Sequence, residues 1–338
     1  MGIWLAQTWS ERGLAARLLW PFSILYGSIS VLHRWLYRIG IFETEYFAVP
    51  VIVVGNVVAG GAGKTPLVIA LVKHLHQQGL RVGVVSRGYG RQDKNCLEVL
   101  ENTPISASGD EPALILRTRA APVFVANKRG HAVKALLKKY PETQVIISDD
   151  GLQHHSLARD IEITVFDDRG IGNGWLLPAG PLREPYSIGQ QGHATAGVLV
   201  LHTGLSPAFG GFVSTRCLED YAVAADGSQI PLDDLKHEPL AALAGIASPD
   251  AFFGMLKARG IRLASTISLP DHFDFSMYAI PAPSGATVLC TEKDAIKLFK
   301  LTTSKDLRLL AVPLKFAPEP AFLKAVDDLL TPLLRKPA

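Results

Sequence analysis

Cysteine is scarce in this 338-residue chain, and Cys96, Cys217 and Cys290 are scattered and odd in number. That excludes a disulfide framework. With no CxxC pair and no His/Cys cluster, nothing suggests a zinc or haem site. Reduced, buried thiols in a cytoplasmic setting are the expectation. Charge is sparse as well: 19 % of residues are Asp, Glu, Lys or Arg, against 48 % hydrophobic. A net charge of +3 is too mild to argue for a nucleic-acid partner. No repeat of fixed period and no low-complexity tract occurs, which excludes solenoids and disordered linkers. No obligate protein partner is signalled.

What the chain does contain is one organising stretch, Val51–Thr65 (VIVVGNVVAGGAGKT). A short charge-free run rich in Val and Ile suits a buried parallel strand. It breaks into Gly60, Gly61 and Gly63, then closes on Lys64 and Thr65. PLVIALVKHLHQQ follows with apolar residues at helical spacing and stops at Gly79. Strand, glycine loop, Lys-Thr and helix together form the layout of a phosphate-binding loop. The glycines let backbone N–H groups approach phosphate oxygens, and the helix N-terminus adds partial positive charge. The loop Val58, Ala59, Gly60, Gly61, Ala62, Gly63, Lys64, Thr65 is the expected nucleotide cradle. Lys64 should reach the β- and γ-phosphates, and the Thr65 hydroxyl should ligate Mg²⁺. Val58 stands where the common pattern has a further glycine.

Residues 1–49 differ in texture. Between Arg17 and Arg34 lie 16 residues without Asp, Glu, Lys or Arg, short of the roughly 20 needed to cross a bilayer. Trp20, Tyr26, Trp35 and Tyr37 sit near Arg17, Arg34 and Arg38. This combination suits a helix lying in a membrane interface; a core helix packed on the next domain and a true span are the alternatives.

From Val51 to about His202 strands and helices alternate. Strands are expected at Val51–Gly55, Val82–Ser86, Val123–Ala126, Val145–Ser148, Ile161–Phe166 and Val198–Leu201. Helices are expected at Pro66–Gln78, Glu111–Arg119 and Arg129–Lys139. The pattern predicts an α/β fold, a P-loop NTPase-like and mostly parallel sheet with helices on both faces. Ligands on such sheets bind beyond the C-terminal strand ends, and the polar motifs fall there. Ser86-Arg87-Gly88-Tyr89-Gly90-Arg91 makes a glycine-bent basic loop. Gly109-Asp110-Glu111-Pro112 leads into a helix, with Asp110 either a functional acid or an N-cap. The run Val145–Ser148 ends in Asp149-Asp150-Gly151. An apolar strand ending in acid downstream of a P-loop reads as a Mg²⁺-binding carboxylate, and paired aspartates repel unless a cation offsets them. Gln153 and His154 follow directly. The aperiodic segment 167–190 is read as a functional loop whose likeliest polar contributors are Arg183 and Glu184. After residue 204 a smaller α/β lobe is expected, with strands at Leu240–Gly245, Leu263–Leu269, Val288–Cys290 and Leu307–Val312. Its helices are expected at Ser248–Arg259 and Pro318–Leu334. The division is therefore 1–49, 50–204 and 205–338.

These motifs, in this order and spacing, resemble the tetraacyldisaccharide 4'-kinase family, the lipid A 4'-kinases of Gram-negative bacteria. They are GNVVAGGAGKTP (55–66), SRGYG (86–90), GDEP (109–112), SDDGLQHH (148–155), LPAGPLREP (177–185), DHF (271–273) and TEKDAIK (291–297). The resemblance spans most of the chain. It implies a P-loop core, a smaller C-terminal lobe and an N-terminal apolar helix on the cytoplasmic face of the inner membrane. It implies transfer of the ATP γ-phosphate to the 4'-hydroxyl of tetraacyldisaccharide 1-phosphate, with Mg²⁺, giving lipid IVA. It also implies that Asp110 is the base, supported by His272 of the second lobe. Asp149 or Asp150 would hold Mg²⁺, and Tyr89, Arg129, Gln153, His154, Arg183 and Glu184 are further site candidates. Closure of the second lobe would assemble the site.

Without the resemblance, the residues themselves reach a Mg²⁺-ATP enzyme near a membrane. A GTPase is disfavoured, because Asn127-Lys128-Arg129-Gly130 lacks the Asp of an Asn-Lys-x-Asp motif and Thr291-Glu292-Lys293-Asp294 lacks the Asn. A membrane-anchored ATPase switch leaves Asp110 and His272 unused. A soluble kinase for another small acceptor leaves the N-terminus idle.

Overall fold

The structure, a computed structural model, describes residues 3–187, 197–238, 240–301 and 307–335. The last three residues of the expected 167–190 loop fall outside that set. Two sheets organise the chain. The first has nine strands, in the order Leu314–Pro318, Phe212–Leu218, Gly197–His202, Ile161–Phe166, Val51–Gly55, Val145–Asp149, Val82–Ser86, Val123–Val125, Leu97–Val99. The pairings are parallel except at the two edges, where Leu314–Pro318 and Leu97–Val99 run antiparallel. Val51–Gly55 lies at the centre and every one of its residues is buried, which is why it reads as an unbroken apolar run.

The Lys64–Gln77 helix covers one face. Leu67, Val68, Leu71, Val72 and Leu75 are all fully buried. That spacing of one, three, one and three residues makes a single helical stripe. Burial of each such side chain stabilises by about 1.5–3 kcal/mol. Gly79, at φ +82°, ends the helix as its position predicts. The Arg129–Lys139 helix packs on the other face through Ala132, Val133 and Leu136.

The second sheet has six strands, ordered Gln229–Pro231, Tyr221–Val223, Arg308–Val312, Thr287–Thr291, Leu240–Ala244, Leu263–Ser268. The expected division at residue 204 differs from the packing seen here. Phe212–Leu218 and Leu314–Pro318 belong to the first sheet. The Pro320–Leu334 helix buries Phe322, Val326 and Leu330 in the core of that sheet. The second lobe is thus an excursion from the first sheet and back. The cysteine expectation is also corrected: Cys290 is buried, but Cys217 is half-buried and Cys96 exposed.

Near the N-terminus a single helix runs Leu14–Arg38, 25 residues with Pro21 inside it. It is longer than its charge-free stretch and is long and apolar enough to cross a membrane by length and composition. One narrow face is occupied. Ser23 Oγ donates to the Leu176 carbonyl at 2.8 Å and accepts from the Ala179 amide at 2.9 Å, and Tyr26 donates to the Arg183 carbonyl at 2.8 Å. Gly27 is required there, since a Cβ would lie 2.6 Å from Leu176 Cδ1. The other faces expose Leu14, Leu18, Phe22, Leu25, Ile29 and Leu32. Ile24, Val31 and Trp35 meet Leu176 and Pro185 in an apolar groove of about 600 Å³.

Candidate active site

The C-terminal ends of the parallel strands gather the polar residues on one edge. Val54 and Asp149 are register partners on the two central strands, so the glycine loop and the acid pair emerge side by side. Gly63, at φ +79°, turns the loop into its helix. The loop's carbonyls are all tied down. Buried Asn56 donates through Nδ2 to Val58 O at 2.5 Å and to Gly60 O at 3.0 Å. Arg169 donates to Ala59 O at 3.2 Å and to Gly61 O at 3.1 Å. Ala62 O accepts from Thr203 at 2.8 Å and from Arg216 at 3.4 Å. With the carbonyls engaged, the amides from Gly60 onward are the groups the loop offers to an anion. Val58 is itself locked by a bridge to Leu182, and the Ala59 amide donates to Pro181 O at 2.8 Å. The position without glycine is therefore a strand-like contact rather than part of the bend.

Lys64 extends back under the loop. Its Nζ lies 3.1 Å from Asn56 Oδ1 and 3.3 Å from Asp150 Oδ1. Arg183 approaches the same Asp150 oxygen at 3.5 Å. Burial alone would raise the Asp150 carboxyl, but the charges of Lys64, then Arg183 and Arg129, outweigh it and hold the group below its ordinary 3.8. Asp150 sits at φ +49°, a left-handed state that aspartate tolerates better than most residues. Arg129 Nη2 braces the turn by donating to the carbonyls of Asp149 at 3.0 Å and Asp150 at 2.5 Å. Neighbouring Asp149 is different. It is fully buried and neither carboxylate oxygen has a partner. Burial first, then the charges of Glu111 and Asp150, push its carboxyl up to about 8. An unpaired buried carboxylate is costly, and a cation would satisfy it. Among the described residues no three His, Cys, Asp or Glu converge to hold a metal. One buried carboxylate instead suits an ion whose other ligands are a Thr hydroxyl, phosphate oxygens and water.

His154 does not face the acids' carboxylates. Its Nε2 accepts from the Arg129 amide at 3.3 Å. Burial, then Arg129, lower it to about 4, so it is neutral at pH 7. Gln153 donates to Asn56 O at 3.1 Å and to Glu184 at 2.8 Å, and Glu184 also pairs with Arg34 of the N-terminal helix. These three residues therefore join loop, acid strand and helix.

The second lobe meets this edge at Asp110. The carboxylate is 3 % exposed and begins its helix after Gly109, which occupies the cap position itself at φ +84°. His272 Nδ1 lies 3.0 Å and 2.9 Å from its two oxygens. Lys297 Nζ is 3.1 Å from Oδ2, and Lys293 Nζ is 3.9 Å from it. Burial would raise Asp110, but the His272 hydrogen bond and then the two lysine charges hold it well below the usual carboxylate range. The same hydrogen bond raises His272 above its ordinary 6.5. The Tyr89 ring lies 5.0 Å from the His272 ring, centre to centre. Glu111 connects the halves, since Lys293 lies 3.8 Å from its carboxylate and its charge acts on Asp149. On the glycine-loop side, Gly61 faces Ala247 of the second lobe so closely that a Cβ would lie 2.8 Å away.

Asn56, Glu111, Arg169, Thr203, Arg216, Lys293 and Lys297 are absent from the sequence-based site. Lys293 and Lys297 had a local signal, being four residues apart just after a buried strand. Arg169 and Arg216 had none, because the glycine-loop carbonyls they hold lie more than a hundred residues away.

The chain has relatives among known proteins. A family model described as tetraacyldisaccharide-1-P 4'-kinase matches residues 15–331. A tetraacyldisaccharide 4'-kinase of Polaromonas naphthalenivorans is 62 % identical over 331 residues, 98 % of this chain and 95 % of that one. Its counterpart in another Polaromonas species is 63 % identical over 329 residues, covering 97 % and 96 %. The solved structure of LpxK from Aquifex aeolicus, in complex with ATP, is similar at TM-score 0.74 and 29 % identity, over 93 % of this chain and 99 % of that one.

Proposed function

The chain belongs to the tetraacyldisaccharide-1-phosphate 4'-kinase family, and from that premise we propose which residues carry its reaction. The enzyme transfers the γ-phosphate of ATP to the 4'-hydroxyl of tetraacyldisaccharide 1-phosphate, a step of lipid A biosynthesis. The 4'-oxygen bonds to the γ-phosphorus, the bond to the β-phosphate oxygen breaks, ADP leaves and the hydroxyl proton goes to a base.

The observation that carries the residue assignment is the Asp110–His272 contact, which joins the two lobes on the edge that holds the glycine loop. ATP lies with its phosphates on the Gly60–Thr65 amides, and Lys64 swings from Asp150 onto the β- and γ-phosphates. Phosphoryl transfer relies on positioning and charge stabilisation, which these fixed donors supply. Thr65 and Asp149 would hold Mg²⁺, while Asp150 guides Lys64 and Arg183. When bound, Mg²⁺ offsets charge on the phosphates. Asp110, ionised throughout the physiological range, accepts the hydrogen bond of the 4'-hydroxyl, orients its oxygen and takes its proton. His272, hydrogen-bonded through Nδ1 to Asp110, keeps the carboxylate aligned toward the acceptor hydroxyl.

We place the Leu14–Arg38 helix on the cytoplasmic surface of the inner membrane. Its exposed apolar faces support this, and the Tyr26–Arg183 and Arg34–Glu184 contacts connect it to the site. A lipid acceptor then approaches without leaving the interface.

The test is label transfer from γ-labelled ATP to tetraacyldisaccharide 1-phosphate in mixed micelles, with Lys64→Ala and Asp110→Ala beside the unaltered enzyme. Loss of about 10²–10³ in kcat in each variant is expected. Near-full activity of Asp110→Ala would remove the proposed base.

A further inference from the structure

The Glu292–Leu298 helix takes no part in the roles assigned above, yet it supplies both ammonium groups nearest Asp110. Its start is firmly built. Thr291 Oγ accepts from the Asp294 amide at 3.2 Å, and the Asp294 carboxylate accepts the Thr291 hydroxyl at 2.7 Å and the Gly245 amide at 3.0 Å. Lys293 and Lys297, four residues apart, therefore project from a fixed face toward the Asp110–Leu116 helix. Like charges at that spacing repel unless anions stand between them, and Asp110, Glu111 and Asp271 do so.

Lys297 makes two contacts with one ammonium. It lies 3.1 Å from Asp110 Oδ2 and donates to the Phe273 carbonyl at 3.2 Å. Phe273 is the neighbour of His272, whose backbone sits at φ +62°. A non-glycine residue holds that conformation only where its surroundings enforce it. The Lys297 ammonium thus grips the carboxylate of one lobe and the peptide beside the imidazole of the other. Lys293 complements it, 2.9 Å from Asp271 and 3.5 Å from His272 Nε2.

We propose that Lys297 is a positioning residue for phosphoryl transfer, setting Asp110 and His272 in register across the seam between the lobes. The inference rests on the reading of Asp110 as the group that receives the acceptor's hydroxyl. An ordinary ion pair between lobes would affect stability without selecting the chemical step. A positioning residue acts on kcat and leaves the nucleotide's own site alone, because Lys297 touches none of the glycine loop.

The experiment uses the full-length enzyme in micelles with Lys297→Met, Lys297→Arg and Asp110→Asn. For Lys297→Met we expect kcat to fall at least about tenfold, a fraction of what a base contributes, with KM for ATP within about twofold of wild type. Lys297→Arg, which keeps the charge and can still donate, should recover most of the loss. If thermal unfolding shows that the Met variant does not fold, Lys297→Gln makes the same comparison with a polar side chain. Unchanged kcat in the neutral variants beside an inactive Asp110→Asn would overturn the role of Lys297 and leave Asp110 standing. A loss confined to KM, or no recovery with arginine, would overturn it as well. Full activity of Asp110→Asn would instead defeat the assignment of Asp110.

Discussion

Gly63→Ala gives the sharpest steric test of how the glycine loop is held. The residue sits at φ +79°, and its missing Cβ would lie 1.7 Å from Arg216 Nη2 and 2.8 Å from Arg216 Cζ. Two costs follow. An alanine in the left-handed region costs about 1–2 kcal/mol. Arg216 must also leave the Ala62 carbonyl, a charge-assisted bond of about 1.5–3 kcal/mol, taken at the low end because the 3.4 Å contact is long. The sum is about 3 kcal/mol of folding stability. Arg216→Ala alone should cost about 2 kcal/mol, combining the same bond with its stacking over Phe316 at 5.8 Å. The double variant separates these terms. Once Gly63→Ala has expelled Arg216, removing that side chain adds little. The pair should therefore fall short of additivity by about 1.5 kcal/mol, the bond lost in both. Urea unfolding of the four proteins measures this, and ATP titration shows whether the loop still binds. Additive losses, or a Gly63→Ala variant as stable as wild type, would refute the reasoning.

Other outcomes follow from the same geometry. Arg169→Ala frees the Ala59 and Gly61 carbonyls, so KM for ATP should rise about five- to tenfold, near 1–1.4 kcal/mol, while KM for the lipid stays constant; steady-state kinetics with each substrate varied decides it. Replacing Phe22, Leu25 and Ile29 together by glutamine should lower partition into phospholipid vesicles by about 10³, at about 1.5–3 kcal/mol per buried side chain; co-sedimentation unchanged by the triple variant would show that this face does not meet the membrane. The Asp110–His272 contact should depend on pH. His272 is raised above 6.5, so its stabilisation is fully present below that value and is lost as pH rises through its folded pKa. Asp110 is lowered from 3.8, so its share is present above that value and is lost only as pH falls through its folded pKa. The stability difference between wild type and His272→Gln should therefore be largest between about pH 4 and 6.5 and shrink on the alkaline side. A difference that grows above neutrality would contradict the pairing.

The parts of the site legible from the sequence were those written in local patterns. A buried strand, three glycines, Lys-Thr and a helical stripe occupy one continuous stretch, and strand–acid–acid occupies another. Asp110 and His272 lie 162 positions apart, and only the family resemblance joined them before the fold did. The clamps on the glycine loop were not legible, since Arg169, Thr203 and Arg216 become its neighbours through sheet order. The return of Phe212–Leu218 and Leu314–Pro318 to the first sheet was hidden for a similar reason: periodicity identifies a strand but not the sheet it joins. Length misled at the N-terminus, where the helix continues beyond the charge-free run at both ends to include Arg17 and Arg34. The different states of Asp149 and Asp150 depend on which cations reach each carboxylate. Lys64 and Arg183 reach that of Asp150, and no hydrogen-bond donor reaches that of Asp149.

The central claim is that one carboxylate and one imidazole, brought together by two lobes, act as a unit on the acceptor hydroxyl. A double-mutant cycle on kcat measures this directly, using Asp110→Asn, His272→Ala and the combination in the label-transfer assay. If the two act together, the double variant should be no slower than Asp110→Asn within about threefold, because residues working as one are lost together. Losses that multiply, each residue contributing its full factor in the other's absence, would show that Asp110 and His272 work apart and would contradict the account.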